Sequence, residues 1–286
     1  MVASIRFRAM LLSGLLLLLF LGIWHVATQA TSTQASAASM TPEQIEYLKM
    51  LGKDPGEQKS GGFPTPVQMG QAVFKHLSDP FYDRGPNDKG IAIQLGHSLA
   101  RVGLGFLLAC IVAIPLGFVI GMSPLLRTAL DPFIQILKPI SPLAWMPLAL
   151  YTIKDSSASG IFVIFICSVW PMLINTAFGV ASVKREWLNV ALTLEVKPIR
   201  KALQVILPAA APTILTGMRI SMGIAWLVIV AAEMLVGGTG IGYFVWNEWN
   251  NLSLTNVLFA IGVIGLVGML LDLAFAQLQK WVTYAE

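Results

Sequence analysis

The chain has 286 residues, 56% hydrophobic and 12% charged, with a formal net charge of +4 at pH 7. Soluble domains carry about 25% charged residues and disordered chains are poor in apolar ones, so composition excludes an intrinsically disordered protein and argues against a conventional soluble enzyme. The mean hydropathy of +0.72 is gathered into long apolar blocks, which makes a bilayer the expected solvent.

The first block, Met10–Ala27, follows Arg6 and Arg8. A signal peptide has a core of about 7–15 apolar residues, whereas a span needs about 20, so this block is read as a retained helix. Residues 28–93 are polar. Within them Thr41-Pro42-Glu43-Gln44 offers a Thr cap, Pro at the first helical position and Gln three residues on, and Ile45, Leu48 and Leu51 follow at helical spacing. Thr65-Pro66 repeats the start signal, with Val67, Phe74 and Leu77 as an apolar face, and residues 53–62 read as a linker. Five further spans are expected at Leu95–Met122, Leu130–Ile153, Gly160–Ala181, Gly217–Val236 and Asn256–Leu278. The expected fold is therefore an all-α membrane protein of six transmembrane helices. It divides into a first helix at 1–28, an outer segment with short helices at 29–93, and a five-helix core at 94–281 with a loop at 182–216.

Basic residues set the orientation. Arg6, Arg8, Arg127, Lys184, Arg185, Lys197, Arg200, Lys201, Arg219 and Lys280 share one side, and only Lys154 lies in a short segment on the other. The positive-inside rule then makes both termini and the 182–216 loop cytoplasmic. Trp24, Trp246 and Trp249 fall at the outer boundary and Trp187 and Trp281 near the inner one, as interfacial aromatics do. Because the basic residues cluster at block ends, orientation accounts for the net charge and no nucleic-acid partner is expected.

The cytoplasmic loop holds Leu188, Val190, Ala191, Leu194 and Val196 at a spacing that suits one short helix. Pro198 suits the first turn of a second, with Ile199, Ala202, Leu203 and Ile206, and Pro208 is expected to end or kink it. Two such helices either lie flat on the membrane or dock a soluble partner, and periodicity alone leaves both open.

The segment Glu186–Pro212 resembles the cytoplasmic signature of permease subunits of ATP-binding-cassette importers, an EAA stretch, a Gly and an Ile-x-Leu-Pro end. Aligned on Leu207-Pro208, the EAA positions hold Asn189, Val190 and Ala191 and the Gly position holds Glu195, while Ile206-Leu207-Pro208 is retained. Leu130-Asp131-Pro132, the run Lys138-Pro139-Ile140-Ser141-Pro142-Leu143-Ala144-Trp145-Met146-Pro147-Leu148, and Ala231-Ala232-Glu233-Met234-Leu235 with Gly240-Ile241-Gly242-Tyr243 are similar to the nitrate, taurine and alkylsulfonate permeases. The stretch Asp79–Gly90 is similar to an outer insertion of nitrate/nitrite and bicarbonate permeases.

The resemblance covers about residues 63–280. It implies a type I importer permease in the bacterial cytoplasmic (inner) membrane, most simply for nitrate or nitrite, with bicarbonate, cyanate, taurine or another sulfonate as alternatives. It further implies a second permease chain, two ATP-binding subunits that carry ATP and Mg, and a periplasmic or lipid-anchored substrate-binding protein. Asn189, Val190, Ala191, Leu194, Glu195, Ile206, Leu207 and Pro208 would then form the coupling element that seats on an ATPase. A stand-alone anion channel or carrier is the rival from another class, and the 182–216 loop is the feature it does not need.

No Gly-x-x-x-x-Gly-Lys-Ser/Thr loop is present, so ATP hydrolysis on this chain is not expected. The glycines at 237, 238, 240 and 242 follow a span and read as a tight outer turn, His25, His76 and His97 are scattered, and Cys110 and Cys167 read as small core residues. No catalytic, metal or cofactor site is expected. Ionisable groups within spans face a bundle interior or water, which singles out Lys138, Glu233 and Arg101. Lys138 either supplies positive potential to a passing anion or pairs with a carboxylate, Glu233 being one possible partner, or with carbonyls freed around Pro139 and Pro142. Glu233 is read as a structural or gating pair, Arg101 as snorkelling outward or attracting anions at the outer surface, and Asn175 as an oxyanion donor or as interhelical glue. Pro139, Pro142 and Pro147 imply a broken helix, tolerated where backbone lines a cavity. Lys138, Pro139, Pro142, Trp145, Asn175 and Glu233 are thus the candidate route.

Overall fold

The computed structural model describes residues 2–32, 63–85 and 88–282, together with Glu46 and Met50. The helix expected from Thr41 and the linker at 53–62 lie outside them, save for those two residues. The described chain is helical apart from turns and one isolated antiparallel bridge, Asp83 to Lys89. It divides into two compact units, Met1–Ser78 with Glu248–Phe259, and Asp79–Asn247 with Ala260–Glu286.

In the first unit, α1 (Val2–Ser32) contains the apolar span Phe7–Thr28. Trp24 Nε1 donates to the Pro64 carbonyl at 3.0 Å, and Phe63 meets the Trp24 ring edge-on. The expected start at Thr65 is present as a reciprocal cap on α2 (Pro66–Ser78). The Gln68 amide donates to Thr65 Oγ1 at 3.3 Å, and the Thr65 amide donates to Gln68 Oε1 at 2.9 Å. Near the end of α2, the His76 ring stacks on Phe259 and its Nε2 lies 3.2 Å from Asn256 Oδ1. Asn256 Nδ2 in turn donates to Glu248 Oε2 at 2.7 Å.

In the second unit, the helices are α3 (Ile91–Met122), α4 (Pro124–Leu137), α5 (Pro142–Ile153), α6 (Ser156–Ala181), α7 (Arg185–Thr193), α8 (Pro198–Lys201) and α9 (Leu207–Val236). After them come α10 (Ile241–Asn250) and α11 (Leu254–Val282), each of which continues into or out of the first unit. Core residues come from α3, α6 and α9, among them Val102, Ala109, Ala113, Ile164, Met172, Ala225 and Ile229. In lipid, apolar side chains gain little by meeting one another, so close backbone approach at small residues holds helices together. Gly117 of α3 shows this: a Cβ there would lie 2.7 Å from Thr176 Cβ of α6. Likewise a Cβ on Gly217 of α9 would lie 2.6 Å from Asn175 Cβ.

Among the described residues, five helical stretches are long and apolar enough to cross a membrane. The bent pair α4 and α5, meeting at 89°, makes six if it counts as one crossing. The expected break therefore falls at residues 138–141. Pro139 has no N–H to give the Gln135 carbonyl, Ile140 bonds only back to Leu137, and Pro142 starts the next helix. Pro147, by contrast, is carried inside α5.

The expected end at Pro208 is not observed, and the fifth span does not begin at Gly217. One helical run extends from Pro198 to Val236, 39 residues. It passes through a π-helical turn, Ala202–Ile206, where the Leu207 amide donates to Ala202, five residues back. An α register would set the Pro208 ring against the Gln204 carbonyl, and the wider turn immediately before it relieves that clash.

Candidate functional site

The cytoplasmic element is built around α7. Ala191, 4% exposed, and Leu188 face inward, and Leu188 packs against the buried cluster Val180, Ile206, Ala210 and Ile214. Val190, Leu192 and Leu194 point away and are exposed, while Lys184 sits 5.4 Å from the Trp187 ring. The helix is shorter than expected, because Leu194 and Val196 fall in the turn that ends it. That turn is a Schellman motif. The Glu195 amide donates to Leu192 and the Val196 amide to Ala191, each at 3.0 Å, with Glu195 in the left-handed region at φ 50°. A glycine takes that conformation freely, so the glycine of the resembled signature and this glutamate answer one backbone requirement. Ile206 is buried in the cluster and Leu207 packs against it, so the loop and the long helix share a base.

Lys138 lies at the break between α4 and α5 and lines two cavities. One, of about 260 Å³, is formed with Pro139, Pro142, Trp145, Cys167 and Trp170. The other, of about 330 Å³, holds Lys138 with Asn175 of α6 and with Arg127, Asp131 and Gln135 of α4. Asn175 donates one amide hydrogen to Pro171 in its own helix at 2.8 Å, so this bond is not interhelical glue. Five of the six candidate route residues thus meet around Lys138.

Glu233 does not join them. It is 4% exposed and pairs with Arg101 rather than Lys138, Arg101 Nη1 to Glu233 Oε1 being 2.7 Å. Ser98 Oγ donates to the same carboxylate at 2.8 Å and the Gly242 amide at 3.0 Å. Arg101 therefore turns inward instead of snorkelling. Its Nη1 also donates to the Thr239 carbonyl at 2.7 Å and its Nε to Ser157 Oγ at 3.0 Å. Gln94 Oε1 accepts the Gly240 amide at 2.6 Å, and Ser98 Oγ accepts the Ile241 amide at 2.9 Å. These groups draw the outer turn down onto the ends of α3, α6 and α9. The expected tight turn is present, with Gly237 at φ 77° and Gly238 at φ 93°. Burying a charge is tolerated only with donors converging on it, so satisfaction of Glu233 explains why Arg101 faces the bundle. Gln94 and Ser98 are the residues that sequence reasoning misses, and for Arg101 it misses the pairing with Glu233. The one available signal was that an arginine and a glutamate sit in the outer halves of two spans.

Among the described residues no group of His, Cys, Asp and Glu could hold a metal ion.

The family described as "Binding-protein-dependent transport system inner membrane component" matches residues 113–284. The chain is 42% identical over 228 residues to a nitrate import permease protein, NrtB, of Synechocystis sp., covering 80% of this chain and 83% of the relative. It is 45% identical over 207 residues to a bicarbonate transport system permease protein, CmpB, of the same organism, covering 72% and 74%. Among solved structures it is similar to an inward-facing MetNI methionine ABC transporter, with TM-score 0.60, 14% identity, and coverage of 68% of this chain and 96% of that one. At that identity the likeness speaks for the fold.

Proposed function

We propose that this chain, which belongs to the binding-protein-dependent transport system inner membrane component family, is the permease of an ATP-driven importer for a small inorganic anion, nitrate or nitrite. As a multi-pass inner-membrane component of an ABC importer it works with ATP-binding and substrate-binding subunits. In our reading two permease chains form the pore, two ATPases seat on the α7 elements, and an outer binding protein delivers the anion.

The observation that carries the reading is α7 itself. A helix of nine residues between two spans keeps Val190, Leu192 and Leu194 exposed, while Leu188 and Ala191 tie it to the base of α6 and α9. Exposed apolar side chains on an element held in one orientation by so few anchors suit a rigid partner, and a self-sufficient channel has no use for them. ATP binding would draw the two α7 elements together. The Pro198–Val236 helix, about 58 Å long at 1.5 Å per residue, would carry that motion toward the outer turn pinned by Glu233. The cavity at the α4–α5 break, with Lys138, Pro139, Pro142, Trp145 and Asn175, is the proposed route, and Glu233 acts as a structural pair at its outer end. This is a two-state element biased by nucleotide and by loaded binding protein. No phosphate loop is present for hydrolysis on this chain.

The test is capture of the chain from membranes in mild detergent, followed by uptake of nitrate, bicarbonate and taurine in vesicles holding the captured complex. Co-purifying phosphate-loop ATPases and ATP-dependent nitrate uptake are the expected result. Leu194→Asp should abolish uptake while leaving the chain folded. Capture of the chain alone, with passive anion conductance, would remove the importer reading, and bicarbonate uptake without nitrate uptake would change the substrate.

A further inference from the structure

Helix α4 carries a polar stripe that runs back from Lys138 toward its first turn. Arg127, Asp131, Gln135 and Lys138 recur at helical spacing on one face of a helix whose other positions are largely apolar. All four line the cavity of about 330 Å³, opposite Asn175. That is ample room for several water molecules. Charged residues within membrane segments face water or protein rather than lipid, so the stripe marks a wet groove. Gln135 Nε2 donates to Asp131 Oδ2 at 2.6 Å, which fixes the carboxylate between the two cations. Neither Arg127 nor Lys138 has a carboxylate partner among the described residues.

We propose that this groove is a shallow anion-binding station on the cytoplasmic half of the route, with Arg127 and Lys138 as its two poles and Asp131 as the group that keeps binding weak. The proposal rests on the import reading for its direction of traffic and deepens it. A conducting site must attract an ion enough to admit it and hold it loosely enough to let it go. Two unpaired cations alone would trap an anion, and the carboxylate between them leaves the groove at net +1. Asn175 has a second amide hydrogen beyond the one given to Pro171, suited to an oxyanion oxygen.

Cys167 reports on this field, because its thiol lines the adjoining cavity with Lys138. The full chain is placed in lipid nanodiscs with Cys110 replaced by Ala. Reaction rates of Cys167 with an anionic and a cationic methanethiosulfonate of similar size are then compared. A unit charge about 8 Å away in water-like surroundings changes that rate ratio about fivefold. The parent should favour the anionic reagent, Lys138→Gln should lower the ratio about fivefold, and Asp131→Asn, at a residue that lines only the other cavity, should raise it by less. Nitrate should slow the anionic reagent in the parent and less so in Arg127→Gln. A ratio indifferent to Lys138 and Asp131, or no reaction with either reagent, overturns the proposal. A preference present in phosphatidylcholine discs and abolished by phosphatidylglycerol assigns the groove to a lipid phosphate and overturns it too. None of these readouts uses ATP or uptake, so an intact preference in a complex that fails to import rejects the import reading and leaves the anion station standing.

Discussion

Replacing Arg101 by Leu removes the cation from a carboxylate that is 4% exposed. Glu233 would keep Ser98 Oγ and the Gly242 amide as donors but lose the 2.7 Å contact to Arg101. The Thr239 carbonyl would also lose its 2.7 Å donor. Breaking a buried pair by removing one partner costs about 3–5 kcal/mol. The Arg101 side chain is 17% exposed, which puts the expectation at the low end, about 3 kcal/mol. For a chain of this size about 1 kcal/mol moves the melting midpoint by about 2–4 °C, so a fall of roughly 6–12 °C is expected. Intrinsic tryptophan fluorescence of the purified complex during heating measures it. The double variant Arg101→Leu with Glu233→Leu buries no lone charge and should recover more than half of the loss. A single variant within 2 °C of the parent, or a double variant no better than the single, would refute the idea that the pair holds the outer turn.

Glu195→Gly should stabilise the protein by up to about 1.6 kcal/mol, since a left-handed non-glycine residue costs about 1–2 kcal/mol and the freer unfolded chain gives back about 0.4–1; thermal unfolding decides it, and a loss of stability would count against the turn geometry. Gly117→Val should cost about 1–3 kcal/mol by overpacking the α3–α6 contact. Gly103→Ala in the same helix meets nothing within 4 Å and should cost nothing, stabilising by up to about 1 kcal/mol, both read from the yield of monodisperse protein in detergent. Thr65→Ala should cost about 1 kcal/mol at the α2 cap, seen as about fivefold faster amide exchange confined to residues 67–70.

Sequence made the spans legible because lipid imposes length and composition on every one of them, and proline made the α4–α5 break legible because a missing N–H is a local fact. The reciprocal cap at Thr65 and Gln68 is local in the same way. Arg101 and Glu233 stand 132 residues apart, and nothing along the chain states which cation a buried carboxylate meets. Lys138 was a reasonable partner by charge, but it sits at the break, whereas Glu233 lies beside the outer turn. The π turn was illegible for another reason. Pro208 announces a clash in an α register, and the alternatives of stopping, kinking or widening differ by packing around Ile206 and Ala210 rather than by the proline itself. Glu195 shows the reverse case, where a backbone demand is met by an unsuited residue and the motif weakens while the geometry stays.

The widened turn at Ala202–Ile206 also bears on how this chain tolerates length change. A π turn holds one residue more than the helix around it needs, so deleting a single residue there could close it to an ordinary α turn with no broken strut. The π turn packs five residues into about the rotation that four take in an α-helix, so α7 would keep nearly its present relation to α9. A deletion there should fold, insert and still dock, whereas one in the regular α-helical part of Pro198–Val236 would swing α7 by about 100° and separate assembly from membrane insertion by the loss of one amino acid.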